Sequence, residues 1–550
     1  MSAGPPASRF KWTTPFAAGL LVILLAYFSS RTPLSNVVEH QTYNNDDTSS
    51  DATDVPDAAY LALRQALLEL DNATRFDRNT LQWTSVERKA NAYLHNLRLH
   101  EGAALDAVSK FPPALRFPDA KPVIEGTRLF DAIRRMPKGG SLHYHLEALV
   151  DQKWLVAAAA NESNCHVSFE AETYRTFANP PTASVKLPRF KFTSQPLPST
   201  EWVTCRSARD RYPGGPAAFD LHVESVNSII PNTYATEDIA WARFGMVFNM
   251  LGSLLHYQPL FERYIAQALQ TFYTDGVTYL EVRISKWPNY DANGRVVPFT
   301  EVLDSVKRIV DAFRAKNPDF VDLRFIYQDV RFNTPEGIQA SIENVISLRK
   351  SHSAQIVGFD LVGHEKATPL IDLVPLLTAG TRAAKHTKVT LDYFLHAGET
   401  LHAGPAPDAN LVDAVLLGTR RIGHGFSLAK HGGLMSKVIA ADIAVEVAVI
   451  SNQMLGLVSD IRRHPVIDMM LHGVQVVLAS DDPSVFGYEG VSYDFYQVYM
   501  AFEALDLGSL KKLAMNGLTY AALGTAESKA RAMAGFERRW AEWVQELAAH

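Results

Sequence analysis

The chain has 550 residues, 47% of them hydrophobic and 20% charged. This length suggests one large domain with additions, and the composition is ordinary for a globular enzyme. A net charge of −6 excludes nucleic acid as the main partner, because phosphate binding needs a basic surface.

Arg9 and Lys11 precede an uncharged run from Trp12 to Ser30, with Phe16 to Phe28 as its apolar centre. That is the order of a secretory signal. No clear small-x-small cleavage site follows, so residues 1–30 are read as a signal peptide or a retained signal anchor. The run is short against the ~20 residues that span a bilayer. Residues 31–57 are polar, acidic and poor in apolar side chains, the composition of a disordered tether. The expected location is therefore extracellular, secreted or anchored with the catalytic domain outside the cytosol. Two sequons, at Asn72 and Asn161, fit glycosylation of an exported protein. Cys165 and Cys205 are the only cysteines. In an exported protein they could pair; in the cytosol they would more often be buried and free.

Residues 58–125 read as a helical segment before the main domain. Leu61, Leu63, Leu67, Leu68 and Leu70 give one apolar face, and Thr84-Ser85-Val86-Glu87 has capping-box spacing before a second helix with Tyr93, Leu94 and Leu97. From Met136 onward, short β-rich runs alternate with segments long enough for a helix. The runs are Gly140–His145, Tyr279–Ile284, Leu323–Val330, Ile356–Gly363, Tyr393–Glu399, Arg421–Ser427, Ala444–Ser451 and Val474–Asp481. Eight strands with crossovers predict an α/β fold, a (β/α)₈ TIM barrel spanning 126–550. The interval between the first two runs is far longer than the ~30 residues of a βαβ unit. Residues 161–236, with both cysteines and Pro213-Gly214-Gly215, read as an inserted subdomain. If the cysteines pair, they close a loop of about 40 residues, for which a chain-entropy model gives roughly 4 kcal/mol.

Catalytic groups of such barrels sit at the C-terminal strand ends. His143, His145, His396, Glu399, His424 and Asp481 all fall there. His143 and His145 are two apart, so on a strand both can reach one metal, and zinc accepts imidazole nitrogen readily. Singly, each motif has an ordinary reading: core histidines, a first-turn glutamate, a loop histidine, or an aspartate capping a helix before proline. Together these require four coincidences at the strand ends of one barrel.

His143-Tyr144-His145-Leu146-Glu147, His396-Ala397-Gly398-Glu399, Gly423-His424-Gly425 and Ser480-Asp481-Asp482-Pro483 resemble the signature set of the adenosine/AMP deaminase family. Met136-Pro137-Lys138-Gly139, Gly358 to Glu365, Ile450 to Gln453, Leu457 to Asp460 and Ser492 to Tyr496 are similar to its secreted growth-factor branch. The likeness runs from about residue 58 to the C-terminus. It implies that His143, His145, His396 and Asp481 hold one zinc ion, that Glu399 protonates purine N1, and that His424 orients or deprotonates the attacking water. Asp482 and the Gly363 backbone would contact the purine, and Trp241 would line the nucleoside pocket, unless it only packs its helix. The implied reaction is deamination of adenosine to inosine, or of 2′-deoxyadenosine to the deoxy counterpart, by a homodimer joined through the helical extension.

The residues support that chemistry independently: zinc brings the pKa of water towards ~7, and an acid at N1 makes C6 electrophilic. The other zinc deaminase architecture needs Cys-x-x-Cys, which this chain lacks. Two positions depart from the branch: Leu146 stands where Asp is usual, with Glu147 next, and Val330 replaces a usual His. On a continuing strand Glu147 faces the pocket, accepts from the ribose 5′-hydroxyl and repels a 5′-phosphate; if the strand stops at His145, Glu147 faces solvent. AMP or adenine remains the alternative substrate. The alternative of another class is a growth-factor-like protein that binds a receptor through the insertion.

Overall fold

A computed structural model describes residues 58–173, 184–195, 197–198, 201–229 and 237–550. The signal and tether read in residues 1–57 lie outside these, as do parts of the insertion. Among the described residues no helix is long and apolar enough to cross a membrane. The chain divides into two compact units, residues 1–71 and 72–550. The described part of the first unit belongs to the helix Ala58–Ala73, which buries none of its side chains. Leu61 and Leu67 on its apolar face are 46% and 55% exposed.

In the second unit the helix Ser85–Asp106 starts as its sequence predicts. The Glu87 amide donates to Thr84 Oγ1, and the Thr84 amide donates to the Glu87 carboxylate at 2.7 Å. Leu94 and Leu97 on its inner face are buried, and the helix packs against the C-terminal helix Ala526–Ala548.

The barrel strands are Gly139–Ser141, Val277–Ile284, Asp322–Val330, Ile356–Val362, His396–Ala397, Arg421–His424, Ala444–Val447 and Val476–Leu478. They form two four-stranded parallel sheets, strands one to four and five to eight. Parallel bridges join the two halves at Phe359–Tyr393 and Tyr144–Asp481, which completes the TIM barrel. Each strand carries an outer helix back to the next, as parallel pairing requires. The apolar strand residues supply the core: Val277, Leu280, Val282, Phe325, Phe359, Val445, Val447 and Val476 are all fully buried.

The insertion contains an antiparallel hairpin, Cys165–Thr173 against Ser184–Phe192, extended by Val203–Thr204 and followed by the helices Cys205–Asp210 and Gly215–Val226. Cys165 and Cys205 form a disulfide with their Cα atoms 5.4 Å apart. It ties the first residue of the hairpin to the first turn of the next helix. The helix Glu237–Leu255 then brings Trp241, Phe244 and Phe248, at spacings of three and four, to the mouth of the barrel.

Candidate active site

The last barrel closure is also the first part of the site. Asp481, just past the eighth strand, donates its amide to His143 O at 3.2 Å and accepts from the His145 amide at 3.3 Å. Both imidazoles therefore meet one carboxylate. His143 Nε2 and His145 Nε2 stand 3.3 and 3.2 Å from Asp481 Oδ1. His396 lies in the two-residue fifth strand and His424 ends the sixth, with ring centres 4.6 and 4.9 Å from that of His143. Asp481 and His424 are held in left-handed backbone conformations, φ 61° each, which non-glycine residues adopt at a cost of order 1–3 kcal/mol. Gly423 is needed for close packing: a Cβ there would come 3.1 Å from His143 Cε1 and 3.2 Å from His396 Cα.

Three imidazoles are backed by oxygen. His143 Nδ1 lies 2.6 Å from Glu446 Oε2, His396 Nδ1 2.7 Å from Asp360 Oδ2, and His145 Nδ1 2.8 Å from Gln328 Oε1. An N–H at Nδ1 satisfies each contact and turns an Nε2 lone pair inward, the arrangement of metal-ligating histidines. Arg283 binds both carboxylates, Nε to Asp360 at 3.0 Å and an Nη to Glu446 at 2.7 Å. Arg421 reaches Glu446 and Glu281, each at 2.5 Å. All five side chains of this network are buried. Burial pushes Glu446 up, but Arg283, Arg421 and His143 outweigh it and hold the carboxyl well below its usual range. Burial likewise opposes ionisation of Asp360, yet His396 and Arg283 keep it low. Burial lowers His396 to about 4, so its imidazole is neutral at physiological pH.

These residues fit a divalent ion. The ligand atoms of His143, His396, His424 and Asp481 lie within 4.8 Å of one another, as do those of His145, Asp481 and Asp482. His143 Nε2 and Asp481 Oδ1 are buried without a regular hydrogen bond. Burial and Arg283 oppose protonation of His143, but Asp481 and Glu446 outweigh them and raise it, so a positive charge is favoured where a cation would sit.

Glu399 is buried beside His424, its Oε1 3.4 Å from Nδ1. Its backbone is fixed by Glu365, whose carboxylate accepts from the Gly398 and Glu399 amides at 3.1 and 2.7 Å and from Asn410 Nδ2 at 2.6 Å. Burial and the neighbouring Asp481 push Asp482 well above the usual carboxylate range. Gly363 follows the fourth strand directly at φ 91°, where a Cβ would meet Phe332 at 2.9 Å. Trp241 stacks on His364 at 4.9 Å, so it joins two elements at the mouth as well as packing its own helix.

Glu147 lies elsewhere than a continuing strand would put it. The chain turns after His145 into the short 3₁₀ segment Leu146–Ala148. Glu147 is nevertheless buried, bordering a cavity of about 10 Å³ with His256, Trp287 and Asn289. Burial raises its carboxyl to about 7. Asn161 and Asn72 of the two sequons are exposed.

Sequence reasoning did not single out Arg283, Arg421, Glu281, Glu446, Gln328 or His464. A signal was present: Glu281, Arg283, Arg421 and Glu446 are charges inside apolar parallel strands, where burial demands partners.

Residues 216–534 match the family model for adenosine deaminase. Adenosine deaminase 2 of Sus scrofa is 36% identical over 470 residues, covering 84% of this chain and 89% of that protein. The human protein of that name is 33% identical over 499 residues, covering 89% and 93%. A solved structure of a cog1816 amidohydrolase from Burkhoderia ambifaria, with bound Zn, superposes with a TM-score of 0.50 at 18% identity, covering 77% of this chain and 95% of that one. The chain is thus an enzyme of the adenosine deaminase family, in the adenosine deaminase 2 branch.

Proposed function

We propose that the protein is a zinc-dependent hydrolase that converts adenosine and 2′-deoxyadenosine to inosine and its deoxy counterpart outside the cytosol. The observation that carries this reading is the convergence of three oxygen-backed imidazoles on Asp481, with Glu399 and His424 alongside. His143, His145, His396 and Asp481 would hold the ion; a nitrogen-rich set with one carboxylate suits zinc. Bound there, zinc supplies Lewis acidity that makes hydroxide available near neutral pH.

Glu399 gives its proton to purine N1 and so draws electron density from C6, the carbon that water attacks before ammonia leaves. The Glu365 clamp on the Gly398 and Glu399 amides holds that acid in place. Asp482, favoured in its neutral form, and the Gly363 backbone offer hydrogen bonds to the ring, while Trp241 forms an aromatic wall. Glu147 bounds the sugar end. Its field adds to the upward push on Asp482, which supports that placement, and it would repel a 5′-phosphate. Secretion is supported by the Arg9–Ser30 pattern, the Cys165–Cys205 disulfide and the exposed sequon asparagines. The exposed leucines of Ala58–Ala73 support a homodimer.

The test is to incubate the secreted protein with adenosine and follow the ultraviolet shift to inosine, before and after a chelator and after zinc is restored. Conversion that stops with chelation and returns with zinc is expected; undiminished conversion in the metal-free protein sinks the zinc reading.

A further inference from the structure

His424 differs from the other three histidines in what lies behind it. Its Nδ1 meets the Asn452 side-chain nitrogen at 3.2 Å, with the carboxyl Oε1 of Glu399, the proposed proton donor, beside it at 3.4 Å. The direction of that contact can be derived from a donor that cannot be reversed. The backbone amide of Val466 donates to His464 Nδ1 at 3.1 Å. His464 Nδ1 must therefore be an acceptor, and a neutral imidazole then carries its proton on Nε2. Burial, which lowers His464 to about 3, keeps it neutral. His464 Nε2–H lies 3.0 Å from Asn452 and must meet an acceptor, which fixes the amide oxygen there. The amide NH₂ is consequently turned to His424, and it can only donate. His424 Nδ1 is left as the acceptor, with the proton on Nε2, which points into the site 3.9 Å from Asp481 Oδ2.

We infer that Asn452 and His464 are positioning residues that hold His424 as an N–H donor towards the reacting centre, so that it is neither a metal ligand nor the group that takes a proton from water. The inference deepens the deaminase reading and rests on it for its functional meaning, though the proton's position can be measured without it. Proximity alone groups His424 with His143, His396 and Asp481 as if all four were ligands. The backing separates them: three Nδ1 atoms lie 2.6–2.8 Å from an acceptor oxygen and offer Nε2 lone pairs, whereas His424 has an amide donor behind it, nearer than the Glu399 carboxyl, and offers N–H. A donor there orients the attacking oxygen and stabilises charge developing on it. All three relay side chains are buried, so water does not compete for these hydrogen bonds.

The experiment is nitrogen–proton correlation spectroscopy on the zinc-loaded full chain labelled with ¹⁵N-histidine, the His424 signals being assigned by their loss in His424→Gln. Protonated Nε2 and unprotonated Nδ1 are expected. In Asn452→Asp a carboxylate replaces the amide donor, so the proton should move to Nδ1. With zinc content unchanged, kcat should fall about tenfold or more while KM changes little. His464→Gln, which keeps a donor for Asn452 Oδ1, should recover activity and tautomer relative to His464→Leu. A wild-type His424 protonated on Nδ1, or an Asn452→Asp protein with the tautomer unmoved, overturns the inference. If Asn452→Asp does not fold, the wild-type spectrum still decides. A chain with Nε2–H that leaves adenosine unconverted removes the deaminase reading alone; one that deaminates with the proton on Nδ1 removes this inference alone.

Discussion

The two sides of the barrel mouth solve the problem of buried polarity in opposite ways. Behind His143 and His396 the protein keeps charge: Glu446 and Asp360 are held ionised by Arg283, and Glu446 by Arg421 as well. Behind His424 it keeps His464 neutral, lowered to about 3 by burial. Next to Asp481, Ser480 donates to Asp494, which sits among hydroxyl and amide donors and is pushed up to about 7 by burial. The first pattern suits lone pairs and a cation, because an isolated buried charge is costly and a matched set is not. The second suits placing a proton, because each donor is matched to one acceptor and no charge need be balanced. Identical side chains, two histidines at neighbouring strand ends, thus take different roles from what stands behind them.

The largest expected effect comes from the group between the two sides. Glu399→Gln keeps the shape and the Glu365 clamp on the backbone but cannot give a proton to the ring. The expected loss in kcat is 10²–10⁴-fold or so, the usual worth of a general acid, with zinc content unchanged. Steady-state kinetics with metal analysis on the same sample would check it. Near-normal turnover in zinc-replete Glu399→Gln would assign the proton transfer to another group.

A smaller loss is expected on the charged side. Asp360→Asn removes the negative charge shared by His396 Nδ1 and Arg283. Outer partners of ligating histidines typically contribute 10–100-fold in metal affinity, and that is the weakening expected in competition with a chromogenic chelator. At saturating zinc much of the activity should return. Unaltered zinc affinity would break the contrast, since it would mean that the arginine-backed carboxylates only support the fold.

Much of this was legible in the sequence because the barrel repeats. All eight β-rich runs are found in the barrel, and His143, His145, His396, His424 and Asp481 come together because strand ends of one barrel must. What was not legible depends on contacts between distant strands. The pairing of Arg283 with Glu446, or of Asn452 with His464 behind His424, has no local spacing rule. For Glu147 the period-two rule stops at His145: the chain turns there, and burial rather than strand direction fixes where the carboxyl lies.

The smallest expected effect sharpens the neutral side through its dependence on pH. The Asp494 carboxylate accepts from Ser480 Oγ at 2.8 Å, Tyr488 Oη at 2.9 Å and the Ile450 amide at 3.3 Å, but among the described residues no arginine pairs with it. Burial outweighs these donors and raises it from 3.8 to about 7. The folded protein therefore binds more protons than the unfolded chain between those values, and stability must fall as pH rises across them. Its contribution is fully present below about pH 4, declines towards 7 and is constant above. At about 1.4 kcal/mol per unit the full span is of order 4 kcal/mol. Asn at this position stays neutral, and its NH₂ can donate to Tyr488 Oη and to Ser480 Oγ, whose own proton is given to Gly490 O. Asp494→Asn should thus lose less stability than the wild type between pH 5 and 8, measured by denaturant unfolding at each pH. Parallel curves for the two proteins would show that Asp494 is ionised throughout, and that this side of the barrel tolerates a buried charge without an arginine after all.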